Sequence, residues 1–126
     1  PDVMFAEILA RFRAGKDFTG AAYVAAWHTL ERCRDTYLTE TAGFDAILCP
    51  TSPITPPNVD RLLTDSAYYV TENLLTLRNT RVGNLMGLCA ITLPTGTPSC
   101  GISLMGKPDG EEALLRFAVA AERALA

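Results

Sequence analysis

His28, four cysteines and a few scattered serines and lysines are the groups from which this 126-residue chain could build a nucleophile, a base or a metal site. Their spacing argues against each. His28 follows Trp27 in a helical pattern, with Glu31 three residues on and Cys33 five on, where a helix does not bring a thiol to an imidazole. A thiol hydrolase built from His28 with Cys33, Cys49 or Cys89 is therefore the weaker reading, and a structural or solvated histidine is expected. Ser99, Ser103 and Lys107 lie close in sequence, but Ser103 and Lys107 are some 13 Å apart on an extended chain unless the turn at "GKPDG" doubles back. Lys107 reads as an exposed turn lysine. The cysteines fall at 33, 49, 89 and 100 with no CxxC pair, so no metal site is expected and all four read as free, buried thiols. The carboxylates Glu111 with Glu112, and Asp2 with Glu7, stand at helix beginnings, where they complement the dipole. No catalytic residue and no cofactor are assigned.

The elements that would position these groups can be read from periodicity. Met4, Phe5, Ile8, Leu9 and Phe12 form one helical stripe over residues 1–16, with Gly15 placed as a C-terminal cap. Asp17 or Thr19 can cap a second, long helix carrying Tyr23, Trp27, Leu30, Arg34, Tyr37 and Leu38 and ending near Gly43. "DAILCP" reads as a buried strand stopped by Pro50, and "TSPITPPNVD" as an extended loop. Ser66 to Leu75 is weakly helical. Asn79 or Thr80 can cap a helix running to Met86 and closed by Gly87. "AITLP" and "GISLM" then form a hairpin around "TGTPSC". Asp109 as N-cap with Glu112 as its capping-box partner opens a last helix, with Leu114, Leu115, Ala118, Val119, Ala121 and Leu125 on one face.

Composition sets the class. The chain is 48% hydrophobic and 20% charged, as ordinary globular proteins are, and its net charge of −3 offers no basic stripe for nucleic acid and no polybasic membrane anchor. No apolar run approaches the roughly 18 residues of a membrane span, and the first residues read as an amphipathic helix rather than a signal peptide. A cytoplasmic protein is expected. Its start at Pro1 fits a piece of something longer.

Three stretches in order carry a resemblance: "FDAILCPTSPITPP", then "NTRVGNLMGLCAITLPTG", then "CGISLMGKPDGEEALLRFAVAAE". Together they resemble the C-terminal region of the amidase signature family. The matching positions are Phe44, Asp45, Pro50 and Thr51; Thr80, Asn84, Gly87, Leu88 and Ala90; Pro94 and Gly96; Gly101 to Gly106; and Leu114 to Glu122. The match covers residues 17–126. It implies an α/β fold, the C-terminal portion of a large α/β/α sandwich with a mixed sheet, here about three strands with about five helices in a single partial domain.

The resemblance also implies amide hydrolysis by a serine, a second serine and a lysine, with backbone amides holding the oxyanion. Those groups lie N-terminal to the region matched here. Ser52, Ser66, Ser99 and Ser103 never occur as a pair, and Lys16 and Lys107 have no catalytic counterpart. A hydroxyl without a base in reach is a weak nucleophile, so the chain by itself is expected to be inactive. The resemblance assigns Thr51, Thr80 and Asn84 as substrate-facing positions in the complete enzyme, whose substrate is a small-molecule amide. It leaves Cys89, Ser103 and the short hairpin turn as departures, Cys89 replacing a proline and Ser103 a glutamine; the third could exchange the faces of the last strand. An isolated copy would expose a strand edge and an apolar face. The expected partner is the remainder of the amidase or a second copy of the chain, with neither nucleic acid nor membrane involved. The alternative is a stand-alone dimerisation module derived from an amidase.

Overall fold

The computed structural model describes residues 3–125; Asp2, assigned above to a helix beginning, lies outside them. The chain runs α1 (Ala6–Ala14), a 3-10 turn (Gly15–Asp17), α2 (Gly20–Glu40), β1 (Ile47–Pro50), α3 (Val59–Thr64), α4 (Ser66–Thr76), α5 (Thr80–Met86), β2 (Ala90–Pro94), β3 (Gly101–Met105) and α6 (Glu111–Leu125). The α/β class holds, with six α-helices among the described residues where about five were expected. The extra one is α3, where the side chain of Asn58 accepts from the Arg61 N–H (2.9 Å), a cap that offsets the poor apolar pattern of this short segment. Asp65 then caps α4 by accepting from the Tyr68 N–H (2.9 Å); this bond first, and Arg61 after it, holds its carboxyl below the usual range.

Local chemistry settles the other helix ends. Thr19, not Asp17, caps α2 by accepting from Ala22 N–H. Gly15 sits at the end of α1 as expected but stays right-handed (φ −62°), so the chain tightens into a 3-10 turn instead of reversing. Gly87 does turn left-handed, at φ +71°, and stops α5. The capping box at α6 is not formed. Asp109 has φ +55° within the turn closed by Gly110 N–H to Lys107 C=O, the Gly110 carbonyl accepts the first helical bond from Leu114, and Glu112 pairs with Arg116 instead.

The three described strands make one antiparallel sheet in the order β1-β3-β2, rather than a mixed one. The hairpin is present, in a register that opposes Leu104 to Leu48 and Ile91, and Ser103 to Cys49 and Thr92. Alternation therefore sends Ile102 and Leu104 to one face and Ser103 and Met105 to the other. On the first face Leu104, Leu93, Leu114 and Ala118 form the core beneath α6. On the second, Gly83 of α5 lies against Met105, where an added Cβ would be 3.7 Å from the sulfur. Helix α2 is tied to α5 by the Arg34 guanidinium, which donates to the Leu85 carbonyl (2.8 Å) and lies over Trp27. Helices thus flank both faces, as in an α/β/α sandwich. β1 is only half buried: Leu48 is 58% exposed because α6 lies over β2 and β3 and leaves it bare.

The covering is incomplete elsewhere too. No residue of α2 is buried, and Tyr23, Val24 and Trp27 face outward. In α6 only Leu114 and Ala118 are buried, while Leu115 and Val119 of the same expected stripe are largely exposed. The chain exposes 9184 Å², where a compact protein of its 13.6 kDa exposes about 6,600 Å². No described helix is long and apolar enough to cross a membrane.

Candidate functional site

Three hydroxyls meet where β1 ends. The Cys49–Ser103–Thr92 row puts Ser103 and Thr92 side by side on the face opposite α6. The Thr51 N–H donates to the Gly101 carbonyl (2.9 Å), extending the pairing one step past β1 and turning the Thr51 side chain to the same face. Oxygen separations are 2.8 Å for Thr51 and Ser103, 3.1 Å for Thr92 and Ser103, and 3.3 Å for Thr51 and Thr92. Each hydroxyl can donate once and accept once around this circuit, which satisfies Ser103 although it is only 2% exposed. Gly101 makes room for it: a Cβ there would stand 2.9 Å from Thr92 Cγ2 and 3.2 Å from Thr51 Oγ1.

Among the described residues no imidazole, amine or carboxylate hydrogen-bonds to these hydroxyls. The cluster can offer and accept hydrogen bonds, but it contains no base to make a hydroxyl attack. Asn79 anchors the neighbouring helix, its amide donating to the Pro50 carbonyl (2.7 Å), which ties the start of α5 to the end of β1. Its side chain forms no cap, so that expectation is replaced by an anchoring role.

The three positions assigned from sequence separate in space. Thr51 is in the cluster. Thr80 is the first residue of α5, exposed, with its hydroxyl donating back to the Leu77 carbonyl (3.4 Å). Asn84 is exposed on the same helix. Thr92, Gly101 and Asn79 are not among the assigned positions, and Ser103 enters the sequence reading only as a discounted partner of Lys107 and as a departure from the family. The signal that could have found them is the hairpin itself, which places residues 92 and 103 opposite each other once its loop is set.

The four cysteines are free, as expected, but not all buried. Cys33 and Cys100 are exposed, and Cys49 and Cys89 partly covered. Cys89 donates to the Lys107 carbonyl (2.6 Å), whereas burial pushes the Cys49 thiol up. Burial, and secondarily Cys49, does the same to Tyr37, whose hydroxyl oxygen is covered and has no hydrogen-bond partner among the described residues. A raised thiol pKa means less thiolate at a given pH, so native alkylation at neutral pH should modify Cys33 and Cys100 first and Cys49 well after them. Peptide mass mapping over time checks this order; modification of Cys49 as fast as Cys33 would contradict it.

The layered arrangement of helices about the antiparallel sheet gives the fold class, α/β. Comparison with known sequences then places it: the Amidase family model matches residues 3–115, so the chain belongs to the amidase family. It is similar to a 2-amino-5-chloromuconic acid deaminase of Comamonas testosteroni, 31% identical over 116 residues, which covers 89% of this chain and 25% of the relative. A fatty acid amide hydrolase of Oryza sativa subsp. indica is 33% identical over 141 residues (94% of the chain, 23% of the relative). A glutamyl-tRNA(Gln) amidotransferase subunit of Geobacter metallireducens is 27% identical over 123 residues (94% and 24%). The chain spans about a quarter of the length of these curated relatives. No solved structure matches it significantly.

Proposed function

We propose that this chain is the C-terminal part of an amidase that hydrolyses the C–N bond of a small carboxamide, and that it supplies scaffold and pocket wall while the reactive groups lie in the remainder of that enzyme. The observation that carries the reading is the family match over residues 3–115 in a chain whose hydroxyl cluster has no base beside it. Thr51, held by Ser103 and Thr92, presents a hydroxyl to the substrate from the sheet, and Thr80 and Asn84, exposed on α5, are the further substrate-facing positions. The remainder of the amidase is the partner that covers the exposed apolar faces of α2 and α6, in the cytoplasm. An uncovered surface well above that of a compact chain supports this.

Purified as 126 residues, the chain should release no ammonia or amine from aliphatic or aryl amides above a buffer blank. Turnover that persists through repurification would overturn the reading.

A further inference from the structure

The peptide unit that carries β1 into the hydroxyl cluster is held from two sides. It consists of the Pro50 carbonyl and the Thr51 N–H, which lie in one plane and point in opposite directions. The N–H donates to the Gly101 carbonyl at the start of β3 (2.9 Å), and the carbonyl accepts from the Asn79 side-chain amide (2.7 Å). The Pro50 ring fixes its own φ, so this joint has little freedom left, and the Thr51 side chain is set beside Ser103 and Thr92.

On its other side Asn79 is continuous with α5. Its backbone carbonyl accepts from the Val82 N–H (3.0 Å) in the first turn, so a grip on its side chain is a grip on the start of the helix. Asparagine is a favoured cap, yet this side chain forgoes the cap for a carbonyl 29 positions away. Thr80 is the next residue, and Asn84 lies one turn further along the same stripe of α5. Among the described residues no other side chain hydrogen-bonds this helix or its cap to the sheet: Gly83 packs against Met105, and the Arg34 guanidinium holds the far end from α2. With seven residues α5 is about 10 Å long, and if its start is released so short a rod pivots on those two contacts and Thr80 moves most.

We infer that Asn79 is a positioning residue of the amidase site: its side-chain amide fixes the separation of Thr51 on the sheet from Thr80 and Asn84 on α5, and so sets how closely the wall fits the amide substrate. This rests on the proposed amidase reading and deepens it. Asn79 touches no substrate and acts through the three positions that do.

The test uses the complete polypeptide that contains this sequence, carrying Asn79→Asp, which keeps the shape but replaces the donor with a carboxylate, or Asn79→Gln, which keeps the donor. Active sites are titrated with diisopropyl fluorophosphate, a small serine reagent, so molecules that fail to fold drop out of the comparison. The amide that the unaltered polypeptide turns over fastest, from an aliphatic and aryl panel, then gives kcat/KM per titrated site. Asn79→Asp should lower it at least ~10-fold while the rate of serine modification stays within about twofold, and Asn79→Gln should lose less. Unchanged kcat/KM in Asn79→Asp overturns the positioning role and leaves the amidase reading standing. The role is equally overturned by a loss matched by slower serine modification, by an equal loss in Asn79→Gln, or by disappearance of titratable sites in Asn79→Asp, which mark damage to the reacting groups, a cause other than the hydrogen bond, and a role in folding. An unaltered polypeptide that hydrolyses no amide and takes up no reagent overturns the amidase reading and the positioning role together.

Discussion

Leu104→Ala should lower the free energy of unfolding by about 3.5 kcal/mol, the middle of the range for a leucine emptied from a packed core. Leu104 is 2% exposed at the centre of the sheet, against Leu93, Leu114 and Ala118, and its truncation removes the contact through which α6 is held to β3. Leu48 provides the internal comparison. It lies in the same cross-strand row and on the same face, yet is 58% exposed, so Leu48→Ala should cost less than about 1 kcal/mol in the chain alone. Urea denaturation followed by circular dichroism measures both. Equal losses at the two positions would mean that α6 covers β1 after all.

Gly101→Ala should cost about 1–3 kcal/mol through crowding alone, because the backbone there is ordinary extended chain. The new Cβ would meet Thr92 Cγ2 at 2.9 Å, Thr51 Oγ1 at 3.2 Å and the Leu93 carbonyl oxygen at 3.5 Å. The first two cannot both yield without opening the hydroxyl circuit. Thr92→Ser removes the offending methyl and keeps the hydroxyl, so the double variant Gly101→Ala/Thr92→Ser should recover most of the loss. Urea midpoints of the wild type, both singles and the double give the coupling directly. A double variant that loses the sum of the single losses would place the crowding elsewhere.

Much of the architecture was legible because local chemistry and tertiary demand agree in it. Thr19 before a long periodic run, Gly87 after Met86, and two short apolar runs on either side of "TGTPSC" each specify an element end, and each is where the chain turns. Where the reading failed, a neighbour had outbid the local signal. Asp109 looked like a cap, but the glycine after it let the turn close one residue later, so Gly110 opens α6. Asn58 capped a helix too short to show a period. The stripe on α6 was wider than the surface available to bury it, which is why Leu115 and Val119 remain outside.

The cluster was less legible than the fold. Thr51 came from a resemblance, not from any pattern of its own. Ser103 is a polar residue between Ile102 and Leu104, and its burial depends on Thr51, 52 positions away, and on Thr92 across the hairpin. Only the sheet register joins them. Cys33 and Cys100 were expected inside because cysteine packs well in cores, but α2 has no layer beyond it here and Cys100 lies in the hairpin loop.

The central claim is that the reacting groups belong to chain outside these residues. It is tested most directly by treating the endogenous polypeptide with a serine-directed fluorophosphonate and mapping the adduct by peptide mass spectrometry. One adduct is expected, on a serine beyond the 126 residues of this sequence. An adduct on Ser52, Ser66, Ser99, Ser103 or any other side chain within it would contradict the account.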